Sequence, residues 1–301
     1  MHLKFLKTLL GGLIFMKKLL SLLLVVLFLA GIAYSQQQKV YFDVGMARVL
    51  GLGSASTALT DDVSAAIWNP AIIGAISETQ TSFTTAAKAK DAKLYMLSFI
   101  APSGGPSEFA GALSYWNGRR DDTQEEETDI VYSVSQKLGE GFYLGGNIRS
   151  KRAEIAGSGD NAWAIDLGFI NQVTPQLTIG LSYLNLNSPS LQLPGGTPPL
   201  LPIKPTLNIG FALRPDEATL LALDFFNITK EKGNLPTDKV QIRGGIERKL
   251  SDYLTVRFGW LHKNATLGLG IKYNVMRIDY GWLIARDERD DLHLLSLTSS
   301  F

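Results

Sequence analysis

The sequence predicts an all-β fold, a transmembrane antiparallel β-barrel of about 14 strands, with a small N-terminal helical hatch in its lumen. Three observations carry this. Apolar and polar residues alternate with period two from Glu78 onward, the connections between alternating segments are short and long in turn, and a basic, apolar leader precedes a chain that closes on an aromatic residue.

The leader is residues 1–35. Met16–Ser35 reads MKKLLSLLLVVLFLAGIAYS, a basic start, an apolar run and small residues at Ala33 and Ser35. That order suits signal peptidase, with Gln36 the first mature residue. Leu19–Ala33 is shorter than the roughly 20 apolar residues of a spanning helix, which argues against an anchor. Residues 1–15 hold a second apolar stretch, so Met16 is the simplest true start. Of the 29 basic residues, Lys4, Lys7, Lys17 and Lys18 lie in the leader; its removal leaves 25 against 28 acidic, a net charge of about −3. A near-neutral chain offers no electrostatic case for nucleic acid.

Residues 36–77 form the expected hatch segment. Gly51–Ala71 reads GLGSASTALTDDVSAAIWNPA, with Gly51 and Gly53, then Asp61-Asp62 ahead of a short helix-compatible run. A carboxylate at a helix start accepts from free amides and suits the dipole. Asn69-Pro70 ends the run, because the residue before Pro is pushed out of the helical region. So small and Ala-rich a unit cannot make its own core and needs a host, and the available host is the barrel lumen.

Residues 78–301 form the barrel. Alternating segments fall near 78–86, 92–100, 108–116, 128–137, 142–153, 162–172 and 177–186, then near 205–213, 219–229, 238–249, 254–263, 265–273, 276–285 and 292–301. Each approaches the 9–11 residues of a tilted spanning strand. Tight turns such as Gly139-Glu140-Gly141 and Asn274-Val275 alternate with wetter loops such as Gly118–Glu127, Ala156–Asn161 and Asn187–Lys204. Alternation places Trp163, Ile165, Leu167, Phe258, Trp260, Ile278, Trp282 and Ile284 on one face, toward lipid. Asp166, Asp224, Arg243, Glu247, Arg257, Lys272, Arg277 and Asp279 fall on the other, as lumen charges able to hold Asp61 or Asp62. Inward Leu94, Met96, Ile170 and Leu283 leave room for a small apolar pocket. Phe301, after LHLLSLTSS, is the expected signal for outer-membrane assembly.

The Gly-rich stretch, the Asp-Asp-x-Ser-Ala run and Trp-Asn-Pro-Ala ahead of such a barrel resemble the PorV/PorQ family, relatives of the FadL-type long-chain fatty-acid transporters. The resemblance implies that Asp61, Asp62, Trp68, Asn69 and Pro70 are hatch residues inside the barrel. It covers the mature chain by architecture and Gly45–Ile76 by motif. Where the family pattern continues Asn-Pro-Ala-Gly, this chain inserts Ile72-Ile73 before Gly74.

Little in the residues points to catalysis. With no Cys and with His2, His262 and His293 the only histidines, there is no thiolate site and no Ser–His constellation. Asp61-Asp62 reads as a cap rather than a metal pair, the Gly51-Leu52-Gly53 pair lacks the rest of a phosphate loop, and no metal or cofactor is expected. One loop stands apart: Asn187–Lys204 carries Leu191, Leu193, Pro194, Leu200 and Leu201, either folded back over the mouth or offered to a partner or apolar ligand. Two functions remain open. The resemblance implies an interaction component in protein export of the type IX secretion kind, with protein partners or secreted cargo. The alternative is a FadL-like transporter of long-chain fatty acids or other hydrophobic compounds. Both expect a place in the bacterial outer membrane, in contact with its lipid.

Overall fold

A computed structural model of the chain describes residues 45–88, 92–103, 108–121, 124–192, 200–230, 239–286 and 291–301. The expected leader, residues 36–44, and Leu193 and Pro194 of the loop lie outside the described residues, as do the side chains of Leu200 and Leu201.

The strands are β1 (Gln80–Lys88), β2 (Ala92–Ala101), β3 (Phe109–Arg120), β4 (Glu125–Gly139), β5 (Phe142–Ile155), β6 (Ser158–Gln172) and β7 (Leu177–Leu184). After them come β8 (Ser190–Gln192), β9 (Leu200–Pro202), β10 (Thr206–Asp216), β11 (Thr219–Phe226) and β12 (Gln241–Lys249). The chain finishes with β13 (Leu254–Leu261), β14 (Asn264–Tyr273), β15 (Met276–Ile284) and β16 (Leu292–Ser300). β8 and β9 make a separate two-stranded ribbon, and the other 14 close into one antiparallel barrel. β1 meets β16 from Gln80↔Ser300 to Ala86↔Leu294, so no barrel edge is left open.

Alternation sets the two faces. On β2 every second residue from Leu94 to Ile100 is buried, while Tyr95, Leu97 and Phe99 are exposed outside. Trp163 (62 % exposed), Phe258, Trp260 (60 %) and Ile278 face outward as their parity requires. Ile284 is an exception, buried at the end of β15, where Asp291 accepts from the next backbone amide.

The wall is taller on one side than the sequence pattern suggests. β3 to β6 run 12, 15, 14 and 15 residues, against 8 to 11 for the other barrel strands. Most of Gly118–Glu127, expected as a loop, is hairpin: Arg119 pairs with Glu126 and Arg120 with Glu125. Opposite charges facing across an antiparallel pair support strand where polarity alone reads as loop. The Ala156–Asn161 loop shrinks likewise to a turn at Ala156 and Gly157, both at positive φ.

Residues 45–76 fill the lumen. A short helix α1 (Ala47–Gly51) lies against β13 to β16; of two 3-10 helices, Val63–Ile67 lies against β1, β2 and β4, and Pro70–Ala75 packs on β3 to β6. Asp62 caps the first 3-10 helix by accepting from Ser64 N, and Asn69 caps the second by accepting from Ala71 N, with Pro70 at its first position. Asn69 Nδ2 also donates to Thr57 O at 2.7 Å and to Phe169 O on the wall at 3.2 Å. The hatch therefore shares one core with the barrel: Leu52, Leu59, Val63, Ile72 and Ile73 pack with Ile100, Ala112, Ile170, Ala212 and Leu220.

Backbone touches wall where the wall has no side chain. A Cβ on Gly245 of β12 would fall 2.7 Å from Leu52 Cα, and one on Gly210 of β10 would fall 2.7 Å from Thr57 Cβ. These glycines are the sockets into which the hatch backbone fits.

Candidate functional site

Arg48, the one charge on α1, sits at the centre of a buried network. Its Nε and Nη2 donate to Glu247 on β12, and its Nη1 donates to Asp61 Oδ1 (2.9 Å) and Asp62 Oδ2 (3.2 Å). Glu247 also accepts from Arg257 Nε at 2.6 Å, and Arg257 Nη1 lies 2.9 Å from Asp279 Oδ1. Arg277 completes the circuit by donating to Asp279 (2.5 Å) and to Asp62 (2.9 Å), while Arg214 reaches Asp61 at 3.1 Å. Arg48, Arg214, Arg257 and Arg277 thus offset Asp61, Asp62, Glu247 and Asp279. Glu247, Arg257, Arg277 and Asp279 occupy the half of their strands nearer the short turns, so the network closes that end of the lumen.

Asp62 is buried, whereas the Asp61 side chain is 46 % exposed; desolvation works against ionisation of both, but it loses to the neighbouring guanidiniums. Arg48 and Arg214 beside Asp61, and Arg277 and Arg48 beside Asp62, hold both carboxyls below the ordinary carboxylate range. Coulombic gain in such a network roughly cancels its desolvation cost, so its main consequence is position. Moving α1 would strand several charges at once.

Two further anchors hold the hatch. Asp224 Oδ2 accepts from Ser56 N (2.8 Å), Thr57 N (2.9 Å) and Thr57 Oγ1 (2.8 Å). Arg149 on β5 donates to Asp166 (2.8 Å), to Asp129 (3.1 Å) and to the hatch carbonyl of Ile67 (2.8 Å), while Lys151 donates to Asp129 at 2.6 Å.

Above α1, toward the long loops, the lumen is apolar. Leu94, Met96, Trp116, Leu261, Leu283 and Leu294 from the wall pack with Met46, Ala47 and Leu50 from the hatch. The expected inward residues Leu94, Met96 and Leu283 meet here, whereas Ile170 belongs to the core under the 3-10 helices. α1 therefore has two faces, an apolar one packed against this cluster and Arg48 directed into the charges. Trp68 meets Phe226 edge-on at 6.2 Å, and the Arg243 guanidinium lies over the Phe226 ring at 3.5 Å.

Of the expected lumen charges, Glu247, Arg257, Arg277 and Asp279 join Asp61 and Asp62, and Asp166, Asp224 and Arg243 are buried elsewhere on the wall. Lys272 is a correction: it is exposed at the short-turn end of β14, level with Arg277 in register, and lies outside the buried network. Gly51 and Gly53 lie against Gly268 and the Gly244 and Trp260 backbone, packing contacts rather than a phosphate cradle. Leu191 also departs from an exposed loop: it and Ile203 are 3 % and 1 % exposed, packed on inward Ala153 and Ala162 of the tall wall.

Sequence reasoning passed over Arg48, Arg149, Asp129 and Arg214. For Arg48 the signal was there: a lone base in GMARVLG, a stretch otherwise apolar or small, needs acids in reach once buried.

No family model and no curated protein matches this sequence. Solved structures do match in fold. The Ralstonia pickettii toluene transporter TbuX superposes with TM-score 0.58 at 13 % identity, covering 86 % of this chain and 99 % of that one. A Pseudomonas aeruginosa FadL homologue gives 0.54 at 13 % identity, over 86 % and 98 %, and the Pseudomonas putida toluene transporter TodX gives 0.52 at 12 %, over 89 % and 99 %. The barrel thus shares its fold with these two toluene transporters and the FadL homologue.

Proposed function

We propose that this protein is an outer-membrane barrel that admits small hydrophobic molecules, with the hatch as the closure between them and the far side. The observation that carries this reading is the apolar cluster on α1, which puts Leu94, Met96, Trp116, Leu261, Leu283 and Leu294 inside a barrel. Side chains facing a water-filled pore are polar, so an inward apolar cluster favours an apolar guest. The outer face supports the location, since a continuous belt with Leu97, Leu167, Phe258, Ile278 and Leu297 exposed belongs in lipid. Shared fold with two toluene transporters and a FadL homologue supports the substrate class.

A second reading has its own support. The hatch is pinned by two buried ion networks, Asp224 and glycine sockets, which suits a barrel whose task is to hold other proteins, as in PorV-type export. One experiment separates the two: native mass spectrometry after gentle detergent extraction. Co-purifying hydrophobic compounds without protein partners support passage; stoichiometric secretion subunits or cargo, lost when 187–204 is shortened, support the interaction role. A protein carrying neither, and giving no gain in labelled toluene uptake when expressed in an outer membrane, overturns the transport reading.

A further inference from the structure

The tall wall ends in an unpaired edge. β6 runs from Ser158 to Gln172, yet β7 pairs with it only from Leu167↔Tyr183 to Gln172↔Thr178. Positive φ at Asn185 and Ser188 turns the chain off that line. One more step of the ladder is made without a strand. Leu186 N donates to Ile165 O, and the Asn187 side chain accepts from Ile165 N (3.0 Å) and donates to Trp163 O (2.8 Å). Backbone groups on alternate residues of a strand point to one side, so Asn161 and Gly159 direct theirs the same way. Asn161 N donates to the Asp160 carboxylate at 2.8 Å. Among the described residues nothing bonds to Trp163 N, to Asn161 O or to the N and O of Gly159, and all three residues are exposed. The β8–β9 ribbon leaves them bare. Its Leu191 and Ile203 pack on the inner face, and Gln192 N reaches the Asp160 side chain at 2.8 Å rather than the edge.

This edge stands outside the lipid. Tyr115, Ile130, Ser150 and Trp163 form one outward row across β3 to β6, and the next row, Asn117, Thr128, Arg152 and Asn161, has no apolar member. An open ladder is costly in hydrocarbon, but in water it is a template for another strand. We propose that β6 from Gly159 to Trp163 docks an extended segment of another protein at the cell surface, added to the wall as an antiparallel strand with a basic residue opposite Asp160. Asp160 supplies the charge complementarity. It accepts only the amides of Asn161 and Gln192, and no base pairs with it among the described residues. Its own backbone faces β5, so a residue opposite it on the added strand is a non-hydrogen-bonded neighbour, the closer kind. Two other occupants fit less well. A second copy in the same membrane has the same orientation, so the two β6 edges would meet parallel and crossing at their tilt. The chain's own 193–199 contains Pro194, Pro198 and Pro199, which have no amide to give. The docking edge is independent of what passes through the lumen.

The probe is the peptide acetyl-Thr-Tyr-Val-Thr-Lys-Thr-amide carrying a fluorophore. In antiparallel register it sets Tyr against Trp163, Lys against Asp160, and its second and third Thr against Asn161 and Gly159. Binding to the full-length protein in nanodiscs is read by fluorescence polarisation, with empty nanodiscs subtracting lipid partition. N-methylation of those two Thr removes the amides that face β6 and should weaken binding about tenfold or more. N-methylation of Val and Lys, whose amides point away, should leave binding nearly unchanged, and Glu in place of the peptide's Lys should weaken it severalfold. Asn161→Pro removes only an edge-facing amide of β6 and should also weaken binding, with heat-modifiable migration on gels confirming a folded barrel. Absence of binding up to about 1 mM peptide, or equal loss from the two methylation patterns, overturns strand addition. Equal binding of the Lys and Glu peptides overturns the basic residue opposite Asp160. Tighter binding once 193–199 is shortened assigns the edge to the chain's own segment, and disulfide-linked dimers of Asn161→Cys in native membranes assign it to a second copy; either result overturns docking of another protein.

Discussion

Arg48 and Glu247, 199 residues apart, form a two-point contact in which Nε and Nη2 of the arginine donate to both oxygens of the carboxylate, at 2.8 and 2.9 Å. The fork-to-fork geometry fixes α1 on β12 in orientation as well as distance. Because Glu247 also holds Arg257, neutralising this one acid takes one counter-charge from each of two buried guanidiniums, leaving Asp61 and Asp62 to Arg48 and Asp279 to Arg257. Glu247→Gln should therefore cost hatch seating about 3–5 kcal/mol, the scale for breaking a buried pair from one side. Planar-bilayer recordings should show raised and noisier ion conductance. Conductance as low as in the natural protein would mean that the network does not hold the closure.

Acid should open the same closure, and the direction follows from Asp61 and Asp62. Both carboxyls are held below the ordinary value of 3.8 by the arginines around them. Groups with depressed folded pKa values contribute stability that is fully present above the ordinary value and lost as pH falls through the folded one. Conductance should stay flat from neutral pH down to about 4 and rise only in stronger acid. A rise already between pH 7 and 5 would point to another titrating group. The double variant Asp61→Ala with Asp62→Ala should conduct at neutral pH and lose this acid step.

The glycine sockets give a steric test that leaves charge untouched. Gly245→Ala puts a methyl 2.7 Å from Leu52 Cα and 2.8 Å from its carbonyl group, backbone that cannot swing aside. Overpacking of this kind costs typically about 1–3 kcal/mol. Limited proteolysis should then cut within 45–76, where the natural hatch resists. Gly111→Ala is the matched control on β3, since its added carbon would approach nothing nearer than Ser133 O at 3.9 Å. Equal protease resistance in both variants would show that the hatch does not depend on the socket.

These contacts explain why the barrel was legible in the sequence and the hatch seating much less so. Period two fixes which side of a strand each residue faces, so Trp163 and Asp166 could be assigned to opposite faces of β6 without coordinates. The strands themselves were readable for the same reason, apart from the tall hairpins, where Arg119, Glu126 and their neighbours look like solvated loop until their cross-strand partners are known. Arg48 and Glu247 are different, because nothing local links positions 199 residues apart. The short-range Asp62 and Asn69 caps were visible as motifs, whereas Asp224 gave no sign that it would bind Ser56 and Thr57.

Asp224 offers the last test, because it separates hydrogen bonding from ion pairing in holding the hatch. Its Oδ2 accepts two backbone amides and a hydroxyl from Ser56 and Thr57, a small nest in which a carboxylate fits without any hatch base nearby. Asp224→Asn keeps the shape and one acceptor oxygen but replaces charge-assisted bonds by neutral ones, roughly half as strong. Asp224→Ala leaves the buried donors unsatisfied at about 1–3 kcal/mol apiece. Hydrogen exchange at the Ser56 and Thr57 amides should accordingly rise modestly in the first variant and steeply in the second. The amide of Ala47, held instead by Ser296 Oγ at 2.9 Å, should change little if the segment opens locally. Should Ala47 exchange as fast as Thr57 in Asp224→Ala, the hatch leaves its seat as one body, and the Arg48 network and the Asp224 nest act as a single lock.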